Sequence, residues 1–129
     1  MMKLATLILV STVALVPSLA RADKDFAGGP GATYDCGEDS TVNILHNGGT
    51  YVLTGECSQI NIEGNNVRIT VADVDQLAIN GTGNTIKAAE VGTILINGDK
   101  NSVRWSRAKS GRKPTVAANG NGNTITKNK

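Results

Sequence analysis

The chain has 129 residues, 13 of them Lys or Arg and 11 Asp or Glu, for a formal net charge of +2. Such a length holds one domain with one modest core. Two cysteines and a single histidine leave no third ligand near enough in sequence to complete a metal site.

Residues 1–22 differ in composition from the rest and read as a signal peptide. Lys3 gives a short positive start, and the apolar run from Leu4 to Val16 is shorter than the roughly 20 residues that cross a bilayer. Pro17 ends the run, and Ala20-Arg21-Ala22 has the small-x-small pattern of a cleavage site. An uncleaved anchor is the plainer alternative. Cleavage after Ala22 leaves 107 of the 129 residues and places them in the bacterial periplasm or outside the cell, with no membrane span.

Residues 23–39 read as a lead-in to the repeats, and they contain Cys36. In an exported chain an even pair of cysteines is most simply a disulfide, so Cys36 is expected to bond Cys57. Such a bridge contributes about 2 to 4 kcal/mol.

From residue 40 to 129 the chain repeats itself. Ile60-Asn61-Ile62-Glu63-Gly64 recurs as Leu77-Ala78-Ile79-Asn80-Gly81, Ile94-Leu95-Ile96-Asn97-Gly98 and Val116-Ala117-Ala118-Asn119-Gly120. A second phrase follows the last three, as Gly83-Asn84-Thr85-Ile86, Lys100-Asn101-Ser102-Val103 and Gly122-Asn123-Thr124-Ile125, and Asn65-Asn66-Val67-Arg68-Ile69 is its degenerate version in the first. The spacing is mostly 17 residues, and "VNILHNGGTYVL" from Val42 opens the series at 18. Period-two apolar alternation punctuated by Asn and Gly predicts short strands joined by tight turns. One such unit cannot bury an apolar face alone; units stacked about 4.8 Å apart can. The expected fold is therefore an all-β, small single-stranded β-solenoid of about five coils, with a small antiparallel β-sandwich as the alternative.

Stacking sets equivalent residues over one another. Ile60, Leu77, Ile94 and Val116 are expected in one interior row, and Ile62, Ile79, Ile96 and Ala118 in another. Asn84, Asn101 and Asn123 are expected as an outer turn ladder in left-handed backbone, their amides bonded from coil to coil. Gly64, Gly81, Gly98 and Gly120 fall at a corner where positive φ favours glycine.

One break interrupts the period: five extra residues between Val103 and Val116, assigned to a basic insertion loop at 104–115. Arg104, Arg107, Lys109, Arg112 and Lys113 lie there with Trp105, the one tryptophan, and are the candidate partner-binding residues. Insertions in repeat proteins become loops on one face, often the working one. The loop sharpens an asymmetry, because all eleven acids lie between Asp23 and Asp99 while Lys100 to Lys129 holds eight bases and no acid.

The wording "INGTGNTI" and "ANGNGNTI", behind a signal peptide, resembles the bacterial exported family catalogued as domain of unknown function 3060, over about residues 58 to 126. That resemblance implies a β-helix-like repeat domain in a periplasmic or cell-surface protein and carries no catalytic residues. The first coils and the basic insertion depart from its simplest pattern.

Catalytic constellations are sparse. His46 beside a turn reads as a surface or capping residue, and no Gly-x-Ser-x-Gly elbow occurs. Asp73 and Glu90, seventeen apart, are expected to stack beside Asp75, either as a general acid/base pair or, more simply, as a solvated acidic edge. Calcium-binding turns need carboxylates where this chain has Asn84, Asn101 and Asn123, with Asp99 the exception. No catalytic residue, metal or cofactor is expected. The expected function is non-enzymatic: an envelope protein, binding or structural, that meets an unknown protein or anionic polymer through its acidic early part and basic loop. Nucleic acid is not an expected partner. A self-assembling fibre and a periplasmic inhibitor are the other readings.

Overall fold

The computed structural model describes residues 23–27 and 31–128, so the expected signal peptide at 1–22 lies outside the described residues. Eight strands follow one another: β1 (Asp23–Phe26), β2 (Gly31–Ile44), β3 (Thr50–Ile62), β4 (Arg68–Asn80), β5 (Thr85–Asn97), β6 (Ser102–Ala108), β7 (Thr115–Asn119) and β8 (Thr124–Lys127). Every pairing is parallel. A parallel neighbour cannot be reached by a hairpin, so the chain must circle once between equivalent strands, which makes the fold a β-solenoid and excludes the antiparallel sandwich.

Each long strand bends midway and contributes to two sides of a coil. In β4 and β5 the pairing runs from Arg68 and Thr85 to Asn80 and Asn97 at a constant offset of 17. The first side stacks residues 31–35, 50–53, 68–71, 85–88, 102–105 and 124–127; the second stacks 23–26, 41–44, 59–62, 76–80, 93–97 and 115–119. Each side thus has six rungs, one more than the five coils expected. The extra rung is built by β1 and the start of β2, the segment read as a lead-in, whose offsets of 18 and 19 hide it from a search at 17.

Alternation within each side turns the apolar residues inward. Ile60, Leu77 and Ile94 form one row, Ile62, Ile79 and Ile96 the next, and all six are at most 1% exposed. On the first side Tyr51, Ile69, Ile86 and Val103 form a third row, and Leu53, Val71, Ala88 and Trp105 a fourth. Burying each of these aliphatic side chains contributes about 1.5 to 3 kcal/mol. Ala88 is the rung partner of Trp105, so the smallest residue of this buried row stands next to the largest.

The turns hold the coils together by a different means, and here the structure corrects the sequence reading. Asn84 and Asn101 are fully buried, pointing into the turn and not forming an outer ladder. Asn84 Oδ1 accepts the Val67 N–H at 2.9 Å, and its Nδ2 donates to the Gly64 carbonyl at 3.0 Å. One coil on, Asn101 accepts the Asn84 N–H at 3.0 Å and donates to Gly81 O at 2.9 Å; Asn123 repeats this with Asn101 N and Gly98 O. The left-handed positions are the residues just before, Asn66 and Lys100 at φ 59 and Gly83 and Gly122 at φ 73 and 74. A true outer ladder is built instead by Asn80, Asn97 and Asn119, whose side-chain amides bond one another.

The glycine row has a second reason beyond φ. Gly98 and Gly120 do have positive φ, at 152 and 118, whereas Gly64 and Gly81 do not. A Cβ at Gly81, Gly98 or Gly120 would collide with the carbonyl oxygen of the glycine one coil earlier. Close approach of stacked backbones is thus what the row shares.

The amino-terminal end is closed by a disulfide and by aromatic rings. Cys36 and Cys57 are bonded, with their Cα atoms 5.1 Å apart and both sulfurs in the core. Cys57 stands between Ser40 and Val74 in an interior row. Phe26 packs on Tyr34 and Tyr51 with ring centroids 6.1 and 5.1 Å away.

Candidate functional site

The basic insertion divides into two parts. Residues 104–108 belong to β6, so only 109–114 form the loop proper. Side-chain direction in β6 follows the strand alternation: Val103 and Trp105 turn inward, Arg104 outward. Trp105 is only 7% exposed and lies in the core, not on a stacking platform.

Two of the insertion's cations, one on β6 and one at the start of the loop, meet the acidic row. Asp73 and Glu90 are direct rung partners, as their spacing implies, and Arg107 continues the row. Arg107 donates to Glu90 Oε1 at 3.0 Å. Lys109 pairs with Asp73 and lies 3.0 Å from Asp75 Oδ1. Its hydrogen bond to Asp73, aided by Asp75 and opposed by partial burial, holds the ammonium well above the ordinary lysine range. Each carboxylate of the supposed acid/base pair therefore has a cation on it, and the loop cancels part of the charge segregation seen along the chain.

The other candidates remain unpaired. Arg104, Arg112 and Lys113 are exposed and make no ion pair among the described residues. The open last coil beside them is a shallow hollow lined by Trp105, Lys113, Pro114, Val116, Ile125 and Lys127. His46 sits half-buried in the turn between β2 and β3. Among the described residues no three His, Cys, Asp or Glu side chains gather as a metal site would require. The oxygens of Asn84, Asn101 and Asn123 already accept backbone N–H groups. No helix among the described residues is long and apolar enough to cross a membrane.

Sequence reasoning missed the neighbours that stacking gives Arg104. Thr70, Lys87 and Arg104 form one outward row of the first side, and Arg68, Thr85 and Ser102 the row beside it. Arg68 and Lys87 lie far from the insertion in sequence, yet share its face. The 17-residue spacing from Lys87 to Arg104 was the available signal. Comparison with family models, with curated proteins and with solved structures gives no match for this chain.

Proposed function

We propose that this chain is a non-enzymatic, exported solenoid of the bacterial envelope that works by contact, holding an anionic partner on its cationic side. The membership suggested by its repeat wording, in the family catalogued as domain of unknown function 3060, is part of this proposal. A disulfide between Cys36 and Cys57 supports an oxidising compartment, since such bonds persist outside the cytosol.

One observation carries the reading. Arg107 and Lys109 are engaged by Glu90, Asp73 and Asp75, which leaves the acidic row without a free carboxylate pair for acid/base work, while Arg68, Lys87, Arg104, Arg112 and Lys113 have no acidic partner among the described residues. Exposed cations without partners are available to an external anion at no cost in internal pairs. The test is a binding titration of linear polyanions (a polyuronate, a polyphosphate and a sulfated glycan), followed by the fluorescence of the one tryptophan, whose ring the loop and Lys127 adjoin. Binding that weakens as salt rises supports the reading. No binding of any polyanion at low salt removes it.

A further inference from the structure

The outward face of the first side carries more than unpaired charge. Lys87 and Arg104 are direct rung partners, so their Cα atoms are separated by about one strand spacing, 4.8 Å. Like charges directly opposite on neighbouring strands destabilise a sheet. Arg68 stands one rung earlier, displaced by two residues along the strand, as Thr70 is the rung partner of Lys87. Around the three cations the face presents the hydroxyls of Thr50, Thr70, Thr85 and Ser102, with exposed Val52 above Thr70. A shallow groove runs among Thr50, Arg68, Thr70, Thr85, Lys87 and Arg104. The carboxylate row of Asp73 and Glu90, which follows this face along β4 and β5, is held by Lys109 and Arg107.

We propose that this face is a binding site for a linear acidic glycan, a polyuronate in chemical class, lying along the solenoid axis across the rungs. It rests on the reading that the chain binds an anionic partner and assigns that partner's chemistry and place. Lys87 and Arg104 take successive carboxylates, Arg68 takes one displaced to the side, and the threonine hydroxyls meet the sugar hydroxyls. A polyuronate bears one carboxylate per sugar, so its negative charge recurs along its length as the cations of this face recur from rung to rung. The glycan's charges lower the repulsion stored between Lys87 and Arg104, so bound ligand also stabilises the coil stack. Single-stranded nucleic acid fits less well, because it draws on aromatic platforms and the tryptophan is turned into the core.

The experiment compares two variants of equal charge. Lys87→Ser with Arg104→Ser removes the stacked pair on the face; Arg112→Ser with Lys113→Ser removes two cations from the loop. All four side chains are exposed, and thermal melts check that both variants fold. Each protein is titrated with alginate, with single-stranded DNA and with vesicles of anionic phospholipid. The expected result is a loss of about tenfold or more in alginate affinity for the face variant, with less than about threefold for the loop variant, and recovery in Lys87→Arg with Arg104→Lys. A larger loss in the loop variant overturns the assignment of the face while leaving polyanion binding intact. Tighter binding of DNA or vesicles than of alginate, through the same two residues, overturns the glycan assignment. Alginate that neither binds nor raises the melting midpoint of the unaltered chain overturns it as well; if the other polyanions bind in that case, the broader proposal survives.

Discussion

Lys127 is the rung partner of Trp105, and its Nζ lies 5.6 Å from the centre of the indole ring. Its position belongs to the interior row of Leu53, Val71, Ala88 and Trp105, so the last residue of an apolar column is an ammonium. The other end has the same device. Lys24 continues the row of Val42, Ile60 and Leu77 and sits 5.2 Å from the Phe26 ring. Exposed strand edges invite pairing, and inward-pointing charge is one of the ways proteins discourage it. A second copy stacked on either end would draw one of these lysines out of water, at several kcal/mol. The double substitution Lys24→Leu, Lys127→Leu is expected to associate end to end, seen as a weight-average mass that rises with concentration in sedimentation. The unaltered chain is expected to stay monomeric over the same range.

Asn101 is the central member of the buried turn row. Replacing it by Ala removes the acceptor for Asn84 N–H and the donor to Gly81 O, leaving two buried backbone groups unpaired. The expected loss is about 2 to 5 kcal/mol by denaturant titration. Asn97→Ala, in the exposed outer ladder, is expected to cost under about 1 kcal/mol.

Breaking the bridge between Cys36 and Cys57 frees a loop of sequence separation 21. Cys36→Ser with Cys57→Ser is expected to lower stability by about 2 to 4 kcal/mol. Dithiothreitol should shift the melting midpoint of the unaltered chain downward by a similar margin and leave that of the double variant unmoved.

Lys109 sets a pH dependence with a definite sign. Its pKa in the folded chain lies above the unfolded value, because Asp73 and Asp75 hold the charged form. The stabilisation is therefore fully present below the ordinary lysine value of about 10.4 and is lost only as pH climbs past it. Lys109→Met is expected to cost about 1 kcal/mol, its side chain being 26% exposed. The deficit should be the same at pH 7 and pH 9 and shrink above pH 10.5.

How far the sequence revealed all this depended on what each residue answers to. Ile79 and Ile96 could be set in one row from spacing alone, because an interior row demands an apolar residue at every coil. Asn84 and Asn101 were recognised as a row but placed on the wrong side of the turn: sequence shows that an amide recurs, not whether it faces water or the backbone one coil away. Trp105 was read into the loop because the period breaks just after it, whereas strand alternation carries through Ala108 and takes it inward. The first rung was missed because the offsets there, up to 19 at Gly31 and Thr50, depart from the repeat. Arg68 and Lys87 stand in the sequence only as bases within an acidic stretch, while the face that joins them to Arg104 exists only after stacking.

The unbroken register between β4 and β5 makes a coil an interchangeable part. A duplicated or deleted stretch of 17 residues there would meet neighbours of the same shape, so the cylinder can change height without redesign of its cross-section. Length is then a quantity that evolution, or an engineer, can tune one storey at a time.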